Sequence, residues 1–472
     1  MKLPLSRIAE FLSAKGNFDG NAVAQGYSID SRTVQPEELF FAVKGERVDG
    51  HEFVEQALQA GAVAAVVRQD QAARFAGNTR VLAVDDTLIA LQTLATAVRR
   101  LWGKKVVGIT GSLGKTTTKE AIAHLLSVKY RVHRSRGNFN NQFGLPLGLL
   151  KLEPEHEVAV AEMGMSHSGE IAALAAIAVP DEGVVTSVAP VHLEFFESLA
   201  GIARAKYELV ESLPSGGTVF LNSDDEYVSQ FGRDFRGTVV MFGLKPTADA
   251  RAENIELLGV AGSRFELVAG GIRQPLSSPL LGIHNIYNVL AACAVALQHG
   301  VTPSQIAEAL PSLEPADKRG QVLQIGNATV LNDCYNSSPR ALMAAVDALV
   351  AMEGKRHIVV AGEMLELGPT GEDLHRECGR KMPADKIDFF LGVRGLAEAM
   401  VAAARENGIE AEFVKTPEEA GEWLARETRA GDVILLKASR GVKLEKALEI
   451  WQHRKGLPSD LDGGHRPLAT GN

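Results

Sequence analysis

Cysteine is scarce in this chain. Only Cys293, Cys334 and Cys378 occur in 472 residues, and none sits in a CxxC pair. A disulfide framework needs more, so reduced structural thiols are expected. No apolar run reaches the ~18 residues that a membrane-spanning helix requires. The opening Met1-Lys2-Leu3-Pro4-Leu5-Ser6-Arg7 shows neither the long apolar stretch nor the small-residue cleavage site of a secretory signal. A cytoplasmic protein without a membrane span is therefore expected. Basic blocks are missing as well: 49 Lys and Arg stand against 58 Asp and Glu, for a formal charge of -9. Nucleic acid is not supported as a partner. No internal repeat at solenoid periods is present.

What is present is a soluble, globular composition, 46% hydrophobic and 23% charged, on a chain long enough for two to four domains. Short apolar runs alternate with helix-like stretches, which gives an α/β class. Strands are expected at Val106–Ile109, Val158–Ala161, Val184–Val188, Val219–Leu221, Ile358–Ala361, Phe389–Gly392 and Val433–Leu436. Runs apolar on both faces suit buried parallel strands. Three sections are drawn, 1–84, 85–313 and 314–455, the last break falling in Pro311-Ser312-Leu313-Glu314-Pro315. A Gly- and Pro-containing tail, 456–472, is expected to be mobile.

The strongest local signal is Gly108-Ile109-Thr110-Gly111-Ser112-Leu113-Gly114-Lys115-Thr116-Thr117-Thr118. An apolar strand enters it and a helix-like stretch leaves it. Glycines let the backbone curl around an anion, and the helix N-terminus adds partial positive charge. Lys115 would reach outer phosphates, and Thr116 would offer its hydroxyl to Mg²⁺. The spacing is a variant, with Ile109 where the first glycine usually stands. An ordinary glycine turn would explain the glycines but not Gly-Lys-Thr-Thr between strand and helix. The loop alone says nucleoside triphosphate and leaves hydrolase, kinase, ligase and motor open.

Three titratable groups follow. Glu162 ends a strand, where open α/β sheets bind ligands, and a hard cation takes such oxygen ligands. His192 follows the next strand, and Lys206 lies in a helix-like stretch. Singly, each has an ordinary reading: a solvated carboxylate, a surface or core histidine, a solvated lysine. Their order behind a phosphate loop favours a metal-assisted nucleotide site.

Gly111 to Glu120 resembles the ATP loop of the Mur ligases, and so do Glu162 to Ile171, His192 to Phe196, His284 to Asn288 and Asp333 to Pro339. Arg136 to Pro146, and Gly362 to Gly368 with His375 after it, resemble the branch that joins D-alanyl-D-alanine to a UDP-linked muramoyl tripeptide. The resemblance implies three domains: a UDP-substrate-binding domain, a central P-loop ATPase-like parallel sheet, and a Rossmann-like C-terminal domain for the amino substrate. No GxGxxG occurs, so no dinucleotide is expected. It implies ATP-dependent amide formation through an acyl phosphate in peptidoglycan precursor synthesis, with ATP and Mg²⁺ as cofactors, and a monomer.

By the same resemblance, Gly111, Ser112, Gly114, Lys115, Thr116 and Thr117 bind ATP. Asn285 and Asn288 lie on the adenine side, Arg319 reaches phosphate, and Asp333 contacts ribose. Thr116, Glu162, His192 and Lys206 hold metal, with Lys206 carried as a carbamate. Lys115, His192 and Lys206 are the catalytic candidates. Ser31, Arg32, Lys44, Asn138, Asn140, Asn141, Asn336, Ser439 and Arg440 are the substrate-binding candidates. The chain departs from the family at Glu363, often Asp, at Ala438, often Gly, and at Cys334. Two alternatives stay open. A sibling ligase would add a single amino acid to a muramoyl peptide, though no DNPR-like selecting motif is seen, or glutamate to folate, which would not need the uridine-binding first domain. A non-catalytic nucleotide-binding regulator would keep the loop and lack the metal residues.

Overall fold

The computed structural model describes residues 1–457 except Asn17, Glu46, Arg47, Arg136, Asn138 and His192. The expectations for Asn138, His192 and most of the tail therefore lie outside the described residues. By packing, the chain forms two discontinuous units: 1–188 with 200–251 and 288–306, and 189–199 with 252–287 and 307–472. These cut across the three sections drawn from sequence, because residues 252–287 pack with the C-terminal part.

The first unit holds two parallel sheets. One runs Gly26–Ser28, Glu38–Phe41, Ala64–Arg68, Val81–Val84 in spatial order. The helix Thr87–Trp102 follows it. Asp86 caps that helix by accepting from the Leu88 and Ile89 N–H groups, and Gly103 closes it in the left-handed region at φ 69°. The other set runs Thr238–Gly243, Thr218–Asn222, Glu182–Val185, Lys105–Thr110, Val158–Glu162, Val132–Arg134, all parallel, and is part of a nine-stranded sheet. Lys105–Thr110 lies in its middle, and every residue after Lys105 is buried. Buried Arg99 ties the preceding helix to this strand's start. Its guanidinium donates to Asp181 at 2.8 Å, and Asp181 also accepts from the Val106 N–H at 2.9 Å.

The second unit is built on a six-stranded sheet in the order Gln321–Ile325, Ala328–Asn332, Asp432–Lys437, Arg356–Gly362, Phe389–Val393, Ala411–Val414. Only the first pair is antiparallel. Successive residues of a strand face opposite sides, and here both sides are apolar. Leu331, Val359, Phe390 and Leu435 enter one core with the helices Pro339–Val350, Gly371–Lys381 and Ala397–Glu406. Val330, Val360, Leu391 and Ile434 enter the other with Pro417–Glu427 and Glu445–Arg454. This is the doubly covered parallel sheet expected of a Rossmann-like layer.

The strands expected from apolar runs are all present, mostly one or two residues longer. Val184–Val188 is the exception: the strand is Glu182–Val185, and Thr186 onward turns to other work. Sequence reading did not find the antiparallel hairpin Ser263–Ala269 with Ile272–Ser278. Its two-residue turn is Gly270-Gly271, both at positive φ, as the twist of a tight hairpin requires. Its exposed polar alternation lacks the apolar run that marks the parallel strands. All three cysteines are buried, and burial pushes each thiol up to about 12, as inert packing groups require.

Phe390 is wholly buried. Phe390→Ala is expected to cost about 3–5 kcal/mol. Equilibrium urea unfolding should show the drop; a loss below ~1 kcal/mol would mean this core re-closes around the gap.

Candidate active site

The strand Lys105–Thr110 passes through Gly111–Gly114 into the helix Lys115–Leu126. Gly111 and Gly114 hold φ of +146° and +81°. A Cβ at Gly111 would collide with the Thr186 hydroxyl, and one at Gly114 with the Asn288 carboxamide. Both glycines are thus required by close approach as well as by conformation. The loop is bracketed from outside: the Ser112 N–H donates to the Ser187 carbonyl at 2.8 Å, and the Leu113 N–H to its hydroxyl at 3.2 Å. The Thr186 hydroxyl donates to the Leu113 carbonyl at 2.5 Å. Two loop N–H groups are therefore committed to protein, which leaves the helix's first turn as the part suited to an anion.

Lys115 curls back, its ammonium donating to the Gly111 carbonyl at 2.7 Å and the Ser112 carbonyl at 3.3 Å. The Thr116 hydroxyl donates to Glu162 Oε2 at 2.9 Å. Asn140 Nδ2 donates to Glu162 Oε1 at 2.8 Å. Lys119, fully buried, lies 4.0 Å from Glu162 Oε2 and 3.1 Å from Glu120. Glu162 itself is 2% exposed. Among the described residues no three His, Cys, Asp or Glu side chains converge as a ready-made metal cage. The Thr116 hydroxyl and Glu162 carboxylate still offer two hard oxygens side by side. That fits Mg²⁺, which keeps waters and takes phosphate oxygens for the rest of its shell.

Lys206 is 1% exposed, in the helix Leu199–Glu211. Burial drives its ammonium well below the usual lysine range, and the charge of Lys115 pushes the same way. Thr117 is half-buried on the same helix turn as Thr116. Asn288 accepts from the Thr118 hydroxyl at 3.1 Å, so it touches the ATP-loop helix. Asn140 is placed on Glu162. Asn141 accepts from the Gly144 N–H at 2.9 Å, at the start of the helix Gly144–Leu149. In the first sheet's loops, Ser31 donates to Gln56 at 3.2 Å, exposed Arg32 pairs with Asp30 at 2.7 Å, and Lys44 is exposed.

In the second unit, Lys437 donates to Asp333 Oδ2 at 2.5 Å and to the Asn336 carbonyl at 3.1 Å. The Ser439 hydroxyl accepts from the Leu365 N–H at 2.9 Å. Arg319 stacks over Tyr335, Arg440 pairs with Glu445 at 2.6 Å, and Asn336 is exposed. Asn285 donates to the Leu281 carbonyl at 2.8 Å. Glu363 accepts from the Leu396 N–H at 3.1 Å, and Ala438 is buried.

Sequence reading missed Thr186, Ser187, Lys119 and Lys437. The first two looked like strand residues, and the lysines were given no role of their own. It also gave His375 no role. His375 is wholly buried; its Nε2 accepts from the Met364 N–H at 2.9 Å while Nδ1 faces the Gly371 carbonyl at 2.6 Å. An acceptor Nε2 requires a neutral ring with its proton on Nδ1. His375 thus ties the loop after the strand Arg356–Gly362 to the helix Gly371–Lys381.

Residues 109–296 match the Mur ligase middle domain, 318–440 the Mur ligase glutamate ligase domain, and 23–105 the Mur ligase family catalytic domain. A UDP-N-acetylmuramoyl-tripeptide–D-alanyl-D-alanine ligase of Bacillus subtilis is 37% identical over 90% of this chain and 93% of its own. The MurF structure from Acinetobacter baumannii is 28% identical, with a TM-score of 0.85 over 96% of this chain and 99% of that one. MurF ligase from Thermotoga maritima in complex with ADP is 28% identical, with a TM-score of 0.79 over 92% and 98%.

Burial holds the His375 imidazole below its ordinary 6.5. As pH falls through 6.5, the unfolded chain takes up this proton first. The stabilisation is therefore full above that value and drains away below it. His375→Gln should cost about 1–3 kcal/mol at pH 8, and the gap to wild type should narrow by pH 5. Urea unfolding at both pH values measures it; a gap that widens on acidification would mean the protonated ring holds the loop.

Proposed function

The chain belongs to the Mur ligase family, and from that premise we propose that it is an ATP-dependent ligase adding D-alanyl-D-alanine to UDP-N-acetylmuramoyl-tripeptide in peptidoglycan precursor synthesis. The observation that carries this is the phosphate loop set against the Thr116–Glu162 pair, in a chain that matches such ligases over 90% or more of its length. The reading assigns 1–84 to the UDP-substrate, 85–313 to ATP and 314–455 to the amino substrate. Three separate family matches lie along the chain in the same order, 23–105, 109–296 and 318–440. No helix among the described residues is long and apolar enough to cross a membrane. The reading takes the enzyme as cytoplasmic and monomeric.

The reaction has two steps. The terminal carboxylate of the tripeptide attacks the γ-phosphorus of ATP, giving an acyl phosphate and ADP. The amine of D-alanyl-D-alanine then adds to the acyl carbon; the tetrahedral species expels phosphate, and the amine's proton leaves as the amide forms. The first step brings two anions together. Lys115 leaves the Gly111 and Ser112 carbonyls and moves to the outer phosphates. The first turn of its helix presents N–H groups to the same anion. Thr116, Glu162, His192 and Lys206 would hold Mg²⁺, which supplies charge neutralisation at the phosphates. Asn140 and Lys119 keep Glu162 oriented. Gly111, Ser112, Gly114 and Thr117 complete the loop. Asn285, Asn288, Arg319 and Asp333 serve the nucleotide. Ser31, Arg32, Lys44, Asn138, Asn140 and Asn141 serve the UDP-linked acceptor, and Asn336, Ser439 and Arg440 the dipeptide.

Lys206 is suited to carbamylation. Carbon dioxide reacts only with a neutral amine, releasing one proton, and burial favours that neutral form. The product is an anion where a cation would oppose the metal.

Phosphate release from ATP should require both the muramoyl tripeptide and the dipeptide, with an amide product by mass. Release with a single amino acid instead would transfer the chain to a sibling activity. Lys115→Ala should lower kcat by roughly 10²-fold or more. For Lys206, the enzyme equilibrated with ¹³C-bicarbonate should show a carbamate carbon resonance that Lys206→Ala lacks; no such resonance would remove the modification from the scheme.

A further inference from the structure

Tyr335 has no part in the scheme above, yet two guanidinium groups lie on its ring. Arg319 sits 4.0 Å from the ring centroid and Arg440 5.7 Å from it. Both fall within the reach of a cation–π contact. Two cations that share a ring repel each other, so the arrangement persists only where something offsets or uses the charge. The offset is partial. Glu445 Oε1 takes Arg440 at 2.6 Å and Lys318 at 3.6 Å. The other carboxylate beside Lys318, Asp317, is 4.0 Å away and 78% exposed. Two of the three cations, Arg440 and Lys318, thus share one partly buried carboxylate. Arg319 Nε is moreover buried with no hydrogen-bond partner. A buried guanidinium N–H without an acceptor is costly, and an incoming oxyanion would satisfy it.

The ring's own position is fixed from the sheet. The Tyr335 N–H donates to the Lys318 carbonyl at 3.2 Å, which binds the Arg319 segment to the ring's backbone. Two residues earlier, Asp333 is held by Lys437 from the adjacent strand. Arg440 lies three residues beyond Lys437. The three segments that carry Arg319, Tyr335 and Arg440 are therefore locked to one another through backbone and ion pair.

We propose that Tyr335 is a positioning residue whose ring holds Arg319 and Arg440 as two prongs of one anion clamp. Arg319 takes a phosphate oxygen of the nucleotide, and Arg440 takes the carboxylate of the incoming dipeptide. The assignment of the two anions rests on the ligase reading. The planar, forked guanidinium suits both anions, but only if its rotation is restrained. A shared aromatic body restrains both forks at once, so nucleotide and dipeptide affinity depend on the same ring.

The test compares Tyr335→Leu with Tyr335→Phe. Leu removes the ring face, and Phe keeps it. The Leu variant should raise the KM for ATP and the KM for D-alanyl-D-alanine together, each roughly five- to tenfold, the size of one cation–π contact per prong. Its thermal midpoint should stay near that of wild type, and Phe should restore both constants to within about twofold. A Leu variant with neither KM changed, or only one, overturns the clamp. So does a variant that loses kcat and thermal midpoint with both KM values intact, because that pattern is structural. A Phe variant as impaired as Leu would assign the effect to the hydroxyl and overturn the role of the ring. Turnover by wild type with both substrates is the separate control on the ligase reading. Direct titration with ATP alone reports the Arg319 prong whatever that control gives: weaker binding by the Leu variant supports the clamp, and unchanged binding overturns it.

Discussion

A carboxylate at 2% exposure, Glu162, is the constraint around which the first unit is arranged. Burying an ion costs several kcal/mol unless neighbours satisfy it. Three elements supply those neighbours: Thr116 and Lys119 from the ATP-loop helix, Asn140 from the loop after the strand Val132–Arg134, and the strand end itself. Each of these elements is a separate stretch of sequence, and the parallel register sets them side by side. The carboxylate is thereby held in place beside the phosphate loop before any ligand arrives, which is the preorganisation that phosphoryl chemistry needs.

The loop is equally fixed from its other side. Thr186 and Ser187 spend their polar groups on Ser112 and Leu113. Asn222 in turn donates to the Thr186 carbonyl at 2.9 Å, and Asp225 accepts from the Val188 N–H at 2.8 Å. The strands Lys105–Thr110, Glu182–Val185 and Thr218–Asn222 thus all lead into one bracket. Within it two lysines, 115 and 206, lie close enough to repel each other. Burial and the charge of Lys115 together outweigh Glu208 and Glu170 at Lys206, whose ammonium is shifted well below the usual lysine range.

In the second unit the equivalent constraint is the two-sided sheet. Because both faces are packed with helices, only strand ends remain for polar work, and the candidate residues gather there. Lys437 and Ser439 continue one strand end, Asp333 and Asn336 another, and the His375-pinned loop a third. The departures at Glu363 and Ala438 are absorbed locally. Glu363 accepts from the Leu396 N–H, and Ala438 packs against Gly362, leaving the loop geometry intact.

The sequence by itself determined the α/β class, the parallel strands, the phosphate loop and the family, because each is encoded locally: apolar runs of strand length, a Gly-Lys-Thr-Thr between strand and helix, and contiguous motifs. It also marked Glu162, Lys115, Thr116 and Lys206 by order along the chain. What only the tertiary structure decided is how side chains are spent. Asn140 grips Glu162, Lys119 is buried as a counter-ion, His375 is a neutral tie, and Tyr335 carries two guanidiniums. It also decided that residues 252–287 pack with the C-terminal part rather than with their sequence neighbours. These depend on contacts between segments tens to hundreds of residues apart. No local pattern can report such contacts, since a lysine bound for the interior and one bound for solvent are the same letter until the fold has placed a carboxylate beside one of them.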